Sequence, residues 1–368
     1  MKTKVNTCLI LLIISGILVS NQGFSQIFTK QKEVSRSFRV NTGTVVQVTN
    51  KYGNVSVIPW QKDSVRVEVS MKVQGKQMAK VDKIMASIDF ELMSFGNYIN
   101  ARTHFRDNQA TFWKDVVSYA GQVINTSNNL QIDYTVYMPA GTDLKIDNKF
   151  GNIYADSHSG NVDIKLANGD LQAHDFSSNL KLEIEFGSAT LKTVNSADLI
   201  VNYSDLSLTK ATAIILNSRS STLDLEKVRQ LELNSQRDKV NIRECFSING
   251  NAYFSKIRIG ELESAATLGT KYGEFKLNSV PKAFRIIRLD CEYTDIVLNI
   301  EPGSSFSTDL TYDAKTKVTL LPALANVLKK EVQNPQTGKV NATGNIGRSP
   351  VSQVYVNTKA GSLTVFNK

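Results

Sequence analysis

Histidine is the residue type in this chain best suited to proton transfer or metal binding, and there are three of them. His158 and His174 lie 16 residues apart, each with an aspartate nearby, Asp156 and Asp175. An imidazole next to a carboxylate could hold a metal ion weakly. His104 stands apart in a non-periodic stretch, and no further ligand follows a metal-type spacing. We therefore predict two solvated turn histidines, no metal site and no cofactor.

Carboxylates are the second group that could do chemistry, because polysaccharide-cleaving enzymes use paired carboxylates or aspartate-bound calcium. Asp205, Asp224, Asp238 and Asp295 fall at different positions, or in distant units, of the repeat described next. This spacing forms no catalytic pair. We predict no catalytic residues and a protein that is not an enzyme.

The elements that position these residues follow a regular period. Phe186, Tyr203, Ser220, Arg237 and Phe254 lie 17 residues apart, and each opens a phrase with hydrophobic residues three and five positions later. A second alternating segment precedes each phrase, and a fixed period of this kind is typical of a solenoid. The sequence predicts an all-β, single-stranded β-solenoid (β-helix) with about 17 residues and two short strands per coil.

An aromatic residue opens many of these phrases, and a glycine often follows it. The recurring residues are Tyr52, Gly53, Phe150, Gly151, Phe186, Gly187, Tyr203, Phe254, Tyr272, Gly273 and Tyr293. Glycine tolerates positive φ, so we expect it to form the corner between strands. The aromatics share the parity of the inward residues two and four positions earlier, which favours a packed corner column. An exposed carbohydrate platform is the alternative.

Two further predictions concern other columns of the repeat. Cys245 and Cys291 both fall in inward columns, but in different ones and about three coils apart, on the order of 14 Å. A disulfide needs Cα atoms within about 7 Å, so we predict two buried free thiols. The outward column of Asn217, Asn234 and Asn251 predicts a structural amide ladder between coils.

The N-terminus has the order of a secretory signal peptide. Two lysines, an apolar run over 9–19 and small residues predict cleavage after residue 25. A membrane anchor is the alternative, but a run of about 11 residues is shorter than the roughly 20 that span a bilayer. Cys8 precedes the run, which disfavours a lipid anchor. We predict an exported protein (periplasm, cell surface or extracellular) with no membrane span after cleavage.

The remaining chain divides by its periodicity. Residues 26–137 predict an N-terminal β region that contains an amphipathic helix over 76–90 and a long loop over 102–129. Residues 138–300 predict the solenoid core. Residues 315–350 lose the period, and we predict that 301–368 form a C-terminal cap with a final strand, because solenoid ends need their open edges covered.

The net charge is mildly basic. Lysine and arginine number 43 against 34 aspartates and glutamates, and loss of the signal peptide lowers the formal charge from +9 to +7. Basic and acidic residues alternate along most strands, whereas a nucleic-acid-binding protein concentrates its basic residues on one face. We predict no nucleic-acid partner. Solubility is the favoured interpretation, and weak attraction to anionic envelope polymers is the alternative.

The repeated Lys-Tyr/Phe-Gly-Asn-Val/Ile phrases resemble those of the bacterial putative-adhesin, β-strand-repeat family, whose function is unknown. The resemblance covers about residues 38–300 and rests on Asn50–Val57, Asn148–Ile153, Lys271–Leu277 and the 17-residue array. The inserted helix and loop are like those of members from the Bacteroidetes. The resemblance implies an adhesin-like protein of the periplasm or cell surface, and it supplies no catalytic residues.

These observations lead to one expected function and two alternatives. We expect a non-enzymatic scaffold or binding protein whose solenoid surface contacts an envelope polysaccharide or a surface protein. The alternatives are a polysaccharide-active β-solenoid enzyme and an envelope sensor or regulator.

Overall fold

The structure of the protein, a computed structural model, describes residues 27–106 and 129–367. The predicted signal peptide and most of the predicted loop over 102–129 lie outside the described residues. The described chain is an all-β solenoid with 22 strands in one continuous sheet and two helices, which confirms the predicted fold class. Neither helix is long and apolar enough to cross a membrane.

The elements run as follows in chain order. The first part comprises β1 (Phe28–Arg39), β2 (Val45–Lys51), β3 (Val55–Pro59), β4 (Ser64–Gly75), α1 (Met78–Ala86), β5 (Ile88–Phe95), β6 (Tyr98–Phe105), β7 (Leu130–Met138), β8 (Asp143–Lys149), β9 (Ile153–Ala155) and β10 (Val162–Ala167). The long strands are β11 (Asp170–Glu185), β12 (Ser188–Asn202), β13 (Asp205–Arg219), β14 (Thr222–Gln236), β15 (Lys239–Tyr253), β16 (Lys256–Val280) and β17 (Ile286–Ile300). The last part comprises β18 (Phe306–Tyr312), β19 (Thr316–Leu320), α2 (Pro322–Val327), β20 (Lys329–Asn334), β21 (Lys339–Ile346) and β22 (Ser352–Phe366).

Each unit of the repeat is one bent strand rather than the two short strands predicted. In β12 the buried residues alternate up to Leu191, then follow at intervals of three through Val194 to Ala197, where alternation resumes. The two predicted segments therefore meet at a bend through which pairing with the next coil continues. Strands β12 to β15 are 15 residues long, and a short corner separates each from the next.

The core is a stack of identical columns. Parallel pairing places Leu206 beside Leu223, Leu223 beside Val240 and Val240 beside Ile257, so the register equals the sequence period. All four side chains are at most 1% exposed. Because every coil buries the same positions, the hydrophobic core is continuous along the axis.

At the N-terminal end, the order of coils differs from the order of the chain. Strands β6 and β7 form the outermost coil, β2 and β3 lie beneath it, and β8 and β9 follow. The similar phrases at Asn50 and Asn148 are therefore register partners in adjacent coils. Antiparallel β4, β1 and β5 cover this end. The predicted helix forms over Met78–Ala86 and packs on β4 and β1, whereas Ile88 already belongs to β5.

The C-terminal end contains a second inversion of order. The last strand, β22, lies between β17 on one side and β18 with β19 on the other, and it is parallel to all three. Strands β21 and β20 continue antiparallel from β18. The final strand predicted from the sequence is thus an inner layer of the stack, and the segment preceding it in the chain is the outer one.

Candidate functional site: a polar face beside a column of stacked aromatics

One corner of each regular coil is made by a residue with left-handed backbone. Throughout residues 27–106 and 129–367, every non-glycine residue with positive φ belongs to this set, the corner column, with φ between 50° and 70°. In stacking order its members are Tyr52, Phe150, Asn168, Phe186, Tyr203, Ser220, Arg237, Phe254, Tyr272, Tyr293 and Ala360. Such φ values are uncommon for residues with a Cβ. The spacing seen in the sequence therefore reflects a backbone conformation shared by different side chains.

Most aromatic side chains of the corner column are exposed, so the prediction of a packed corner is wrong. Phe186 is 53% exposed, Phe254 54% and Tyr272 48%. Side chains alternate between faces only where the backbone is extended, and a left-handed residue interrupts that alternation. Tyr52 is the exception at 6% exposed. The Tyr52 ring packs edge to face against Phe105, which belongs to the outermost coil, with the ring centroids 6.4 Å apart.

Exposed aromatics in adjacent coils stack along the solenoid axis. The ring centroids of Phe186 and Tyr203 are 5.2 Å apart, with the planes 11° from parallel. Further along, both Phe254–Tyr272 and Tyr272–Tyr293 have centroids 5.0 Å apart. Each such pair contributes about 0.5–1.5 kcal/mol beyond the area it buries. The stacks therefore hold the exposed rings in fixed orientations.

Tyr203 presents an open ring face, because it ends one of these stacks. Phe186 covers one face, and the corner position of the next coil is Ser220, which has no ring. Tyr272, by contrast, lies between Phe254 and Tyr293, so both of its faces are covered. The two tyrosines have nearly equal exposure, 47% and 48%, but only Tyr203 has a ring face without a stacked neighbour.

The glycines after the corner residues are required by close contact between coils. Gly53, Gly151, Gly187 and Gly273 do not have positive φ, so the prediction that glycine forms the corner is wrong. A Cβ on Gly151 would lie 2.0 Å from the Gly53 carbonyl oxygen, and one on Gly187 would lie 1.9 Å from that of Gly169. The backbones approach too closely here for any side chain.

Coils without this glycine place a small polar side chain at the same position. One of these is Asp238, which is 3% exposed. Its carboxylate accepts hydrogen bonds from the hydroxyls of Ser218 (2.6 Å) and Ser235 (2.7 Å) and from the backbone N–H groups of Gln236 (2.9 Å) and Ser221 (2.8 Å). Its four donors come from successive coils, so this aspartate has a structural role.

A polar face lies beside the corner column. Its central column is Asn217, Asn234 and Asn251, and the Asn234 Nδ2 donates to the Asn217 Oδ1 at 3.2 Å. A groove of about 730 Å³ runs over these amides, with Tyr203 and Tyr253 among its lining residues. We call it the amide groove. Amides can both donate to and accept from hydroxyl groups, and aromatic faces bind apolar ring surfaces.

A larger cavity of about 960 Å³, the C-terminal cleft, continues this face toward the end of the solenoid. The coils around Gly269 form its floor, and residues 312–315 and 335–339 of the cap form its walls. Asn251 and Tyr253 line both the cleft and the amide groove. The two cavities therefore form one continuous surface.

Asp313 attaches the cap to the last inner strand at the edge of the cleft. Its carboxylate accepts hydrogen bonds from the Ala360 N–H (3.0 Å), the Thr316 hydroxyl (2.8 Å) and the Lys315 N–H (3.2 Å). Burial would raise the pKa of Asp313, but these hydrogen bonds outweigh burial and lower it below its usual value. The carboxylate of Asp313 thus links the cap to β22 at the edge of the cleft.

The three histidines do not form a common site. His158 is buried at 4% exposure, its Nε2 lies 2.6 Å from the Thr142 carbonyl oxygen, and burial lowers its pKa. The prediction of a solvated His158 is therefore wrong. His174 is exposed and pairs with Asp156 at 2.8 Å in a cavity of about 550 Å³, while His104 lies in β6. Among the described residues, no three histidine, cysteine, aspartate or glutamate side chains could together hold a metal ion.

Cys245 and Cys291 are buried and form no disulfide. In register, Cys245 lies between Val228 and Leu262. The Thr270 hydroxyl donates to the Cys291 Sγ at 3.0 Å. Burial raises the pKa of Cys245 to about 12 and that of Cys291 to about 11.

We expect both thiols to be unreactive in the folded protein. With these pKa values, roughly one thiol in a thousand or fewer is ionised near pH 8, and the thiolate is the reactive form. Alkylation by iodoacetamide should therefore be at least about 100-fold slower than in guanidinium chloride. Peptide mass mapping would measure each cysteine separately. Equal rates in the folded and unfolded protein at either cysteine would contradict its burial.

Reasoning from the sequence missed the C-terminal cleft. Its walls come from residues beyond 300, where the period is lost, and the insertion of β22 places them against the regular coils. One local signal was present: Gly269 interrupts the outward column that contains Asn251. A glycine there leaves room for the Asn251 amide to lie over the position where neighbouring coils have side chains.

Comparisons with known proteins add little to this geometry. No family model and no curated protein matches the sequence. A crystal structure at 1.95 Å resolution of a "putative cell adhesion protein from Clostridium sporogenes ATCC 15579" is 11% identical in sequence. The alignment covers 92% of this chain and 100% of the other, with a TM-score of 0.20. Because the TM-score is so low, the alignment carries no argument about function.

Proposed function

We propose that the protein is an exported, adhesin-like binding protein without enzymatic activity, and that it holds an extended glycan along the amide groove. The observation that carries this proposal is the open ring face of Tyr203 at the border of the groove. The C–H face of a sugar ring packs on an aromatic face, while its hydroxyl groups bond to amides. The N-terminal signal pattern supports export.

The regular spacing of the solenoid favours an extended polymer over a compact ligand. Adjacent coils are about 4.8 Å apart, so equivalent side chains recur along the face at that interval. A polymer can make similar weak contacts with several coils, and linked contacts raise the overall affinity. The coils are joined by continuous parallel pairing, so we expect little ordering entropy to be lost on binding.

Replacing Tyr203 tests the proposal. We expect Tyr203→Ala to weaken glycan binding about five- to tenfold, because the ligand loses its ring contact. The measurement is isothermal titration calorimetry with a panel of neutral and acidic hexasaccharides. Tyr272→Ala is the matched control, since it removes the same residue type from the same backbone conformation and exposure. Its ring faces are already covered, so affinity should stay within about twofold.

Two outcomes would overturn the proposal. Binding of no hexasaccharide, or equal losses from both substitutions, would contradict a role for the open face of Tyr203. Chain-length analysis of each glycan after incubation tests the non-enzymatic part, and we expect no shorter products. Products that disappear in His174→Ala would instead assign catalysis to the His174–Asp156 pair.

A further inference from the structure

We propose that the C-terminal cleft binds a carboxylated sugar unit of an acidic polysaccharide, an inference that rests on the proposed glycan-binding function. The cleft is continuous with the amide groove, because Asn251 and Tyr253 line both. A chain lying in the groove would therefore extend into the cleft. The charged groups there select the kind of sugar.

The floor of the cleft at Gly269 is covered by an amide side chain from the neighbouring coil. In register, Gly269 lies between Asn251 and Asp290 on the outward face. A Cβ at this position would come within 2.7 Å of the Asn251 Oδ1. The Asn251 amide therefore lies over Gly269 at the floor of the cleft, where it can bond to a ligand hydroxyl.

The carboxylates that line the cleft are all engaged. The Asp290 Oδ1 accepts from the Asn357 Nδ2 at 3.1 Å, and Glu292 pairs with Lys271 at 3.2 Å. Asp313 is held by the three hydrogen bonds described above. The lining of the cleft therefore includes three carboxylates, Asp290, Glu292 and Asp313, against four lysines, Lys271, Lys315, Lys339 and Lys359, an excess of one positive charge.

Three lysines of the cleft have no salt-bridge partner, although Lys315 contributes to the lowered pKa of Asp313. Lys315, Lys339 and Lys359 line the same cavity and form no ion pair with another described residue. They come from three separate segments: the loop before β19, the start of β21 and the middle of β22. This excess of positive charge attracts an anionic group, and the three ammonium groups without a salt bridge can bind it. Together with a free amide and Tyr253, they match a uronate, which has a carboxylate, hydroxyl groups and an apolar ring face.

The test compares two forms of one ligand. An oligogalacturonate hexamer and its methyl ester differ in charge but have the same sugar backbone. We expect the protein to bind the acid at least about tenfold more tightly at low salt, with the preference shrinking as salt is added. In the Lys315→Gln/Lys339→Gln double variant the preference should fall below about twofold. The control double variant is Lys181→Gln/Lys210→Gln, which removes two exposed lysines outside the cleft and should keep it.

Tyr203→Ala separates this inference from the proposed function. It should weaken both forms of the hexamer equally, because its contact does not depend on charge. Equal affinity of the unaltered protein for acid and ester would overturn the cleft assignment and leave glycan binding intact. No binding of either form or of any other glycan would overturn both. Tighter binding of a glutamate hexapeptide than of the hexuronate would assign the cleft to acidic peptides instead. Circular dichroism spectra would establish that every variant is folded.

Discussion

Gly151→Ala is expected to lower the free energy of unfolding by at least about 3 kcal/mol, because the new Cβ has no space. It would lie 2.0 Å from the Gly53 carbonyl oxygen and 2.4 Å from the carbonyl carbon. The contacted atoms are backbone, so no side-chain rotation can relieve the overlap. The Asn148 Nδ2 donates to the carbonyl oxygens of both Gly53 (3.1 Å) and Gly151 (2.9 Å). Separating the coils would break this bridge as well.

The measurement is guanidinium chloride denaturation followed by far-ultraviolet circular dichroism. Gly141→Ala is the control, since a Cβ there would lie 3.6 Å from the Ser159 Oγ, an ordinary contact. Gly141 does not have positive φ, so its variant should be unchanged or up to about 1 kcal/mol more stable. An unfolding midpoint for Gly151→Ala equal to that of the unaltered protein would show that the coils can separate here at little cost.

Asp238→Ala is expected to cost about 3 kcal/mol of stability, for a different reason. The substitution removes the acceptor for two hydroxyls and two backbone N–H groups in a buried site. Buried donors without an acceptor retain their full desolvation penalty. Because the donors lie in successive coils, the damage should loosen coil stacking and increase hydrogen exchange locally in β13 and β14.

Asp224→Ala is the matched control for this substitution. Asp224 also links two coils, since it accepts from the Asn241 Nδ2 at 2.7 Å, but it is exposed. Water can replace that bond, so the expected change is within about 0.5 kcal/mol. Similar losses for the two aspartates would contradict the structural importance assigned to Asp238.

The regular coils were predictable because their register equals their sequence period. Leu206 and Leu223 are 17 residues apart and pair directly, so columns read from the sequence become columns in space. The same reasoning placed Cys245 and Cys291 inward and in different columns. Where every coil has the same number of residues, the spacing of two residues in the sequence predicts whether they pair in adjacent coils.

The orientation of the corner column could not be predicted from the sequence period. Strand parity would direct Phe186 and Tyr203 inward, but their positive φ turns them outward. Side chains alternate between the two faces only in extended backbone. The residue type at the corner varies, so the sequence does not predict which residue has the left-handed conformation. The glycine that follows the aromatic was predicted to adopt the left-handed conformation. Its lack of a side chain instead allows the backbones of adjacent coils to approach closely.

The ends of the solenoid were not predictable either, because chain order and coil order differ there. The phrases at Asn50 and Asn148 are similar in sequence, but their similarity does not show that they pair directly in adjacent coils. The C-terminal cleft depends on the same kind of rearrangement. A site assembled from segments that the topology brings together leaves no local pattern in the sequence.

The position of β22 has a consequence for how the protein is made. Strands β18 and β19 emerge from the ribosome before β22, yet their parallel partner in the finished stack is β22 itself. Until Ser352–Phe366 has been synthesised, β17 lacks the neighbour that covers it on that side, and the stack ends in an unpaired edge. Closure of the solenoid therefore requires the synthesis of Ser352–Phe366. A chain that stops between Ile300 and Ser352 would keep an edge able to pair with other chains.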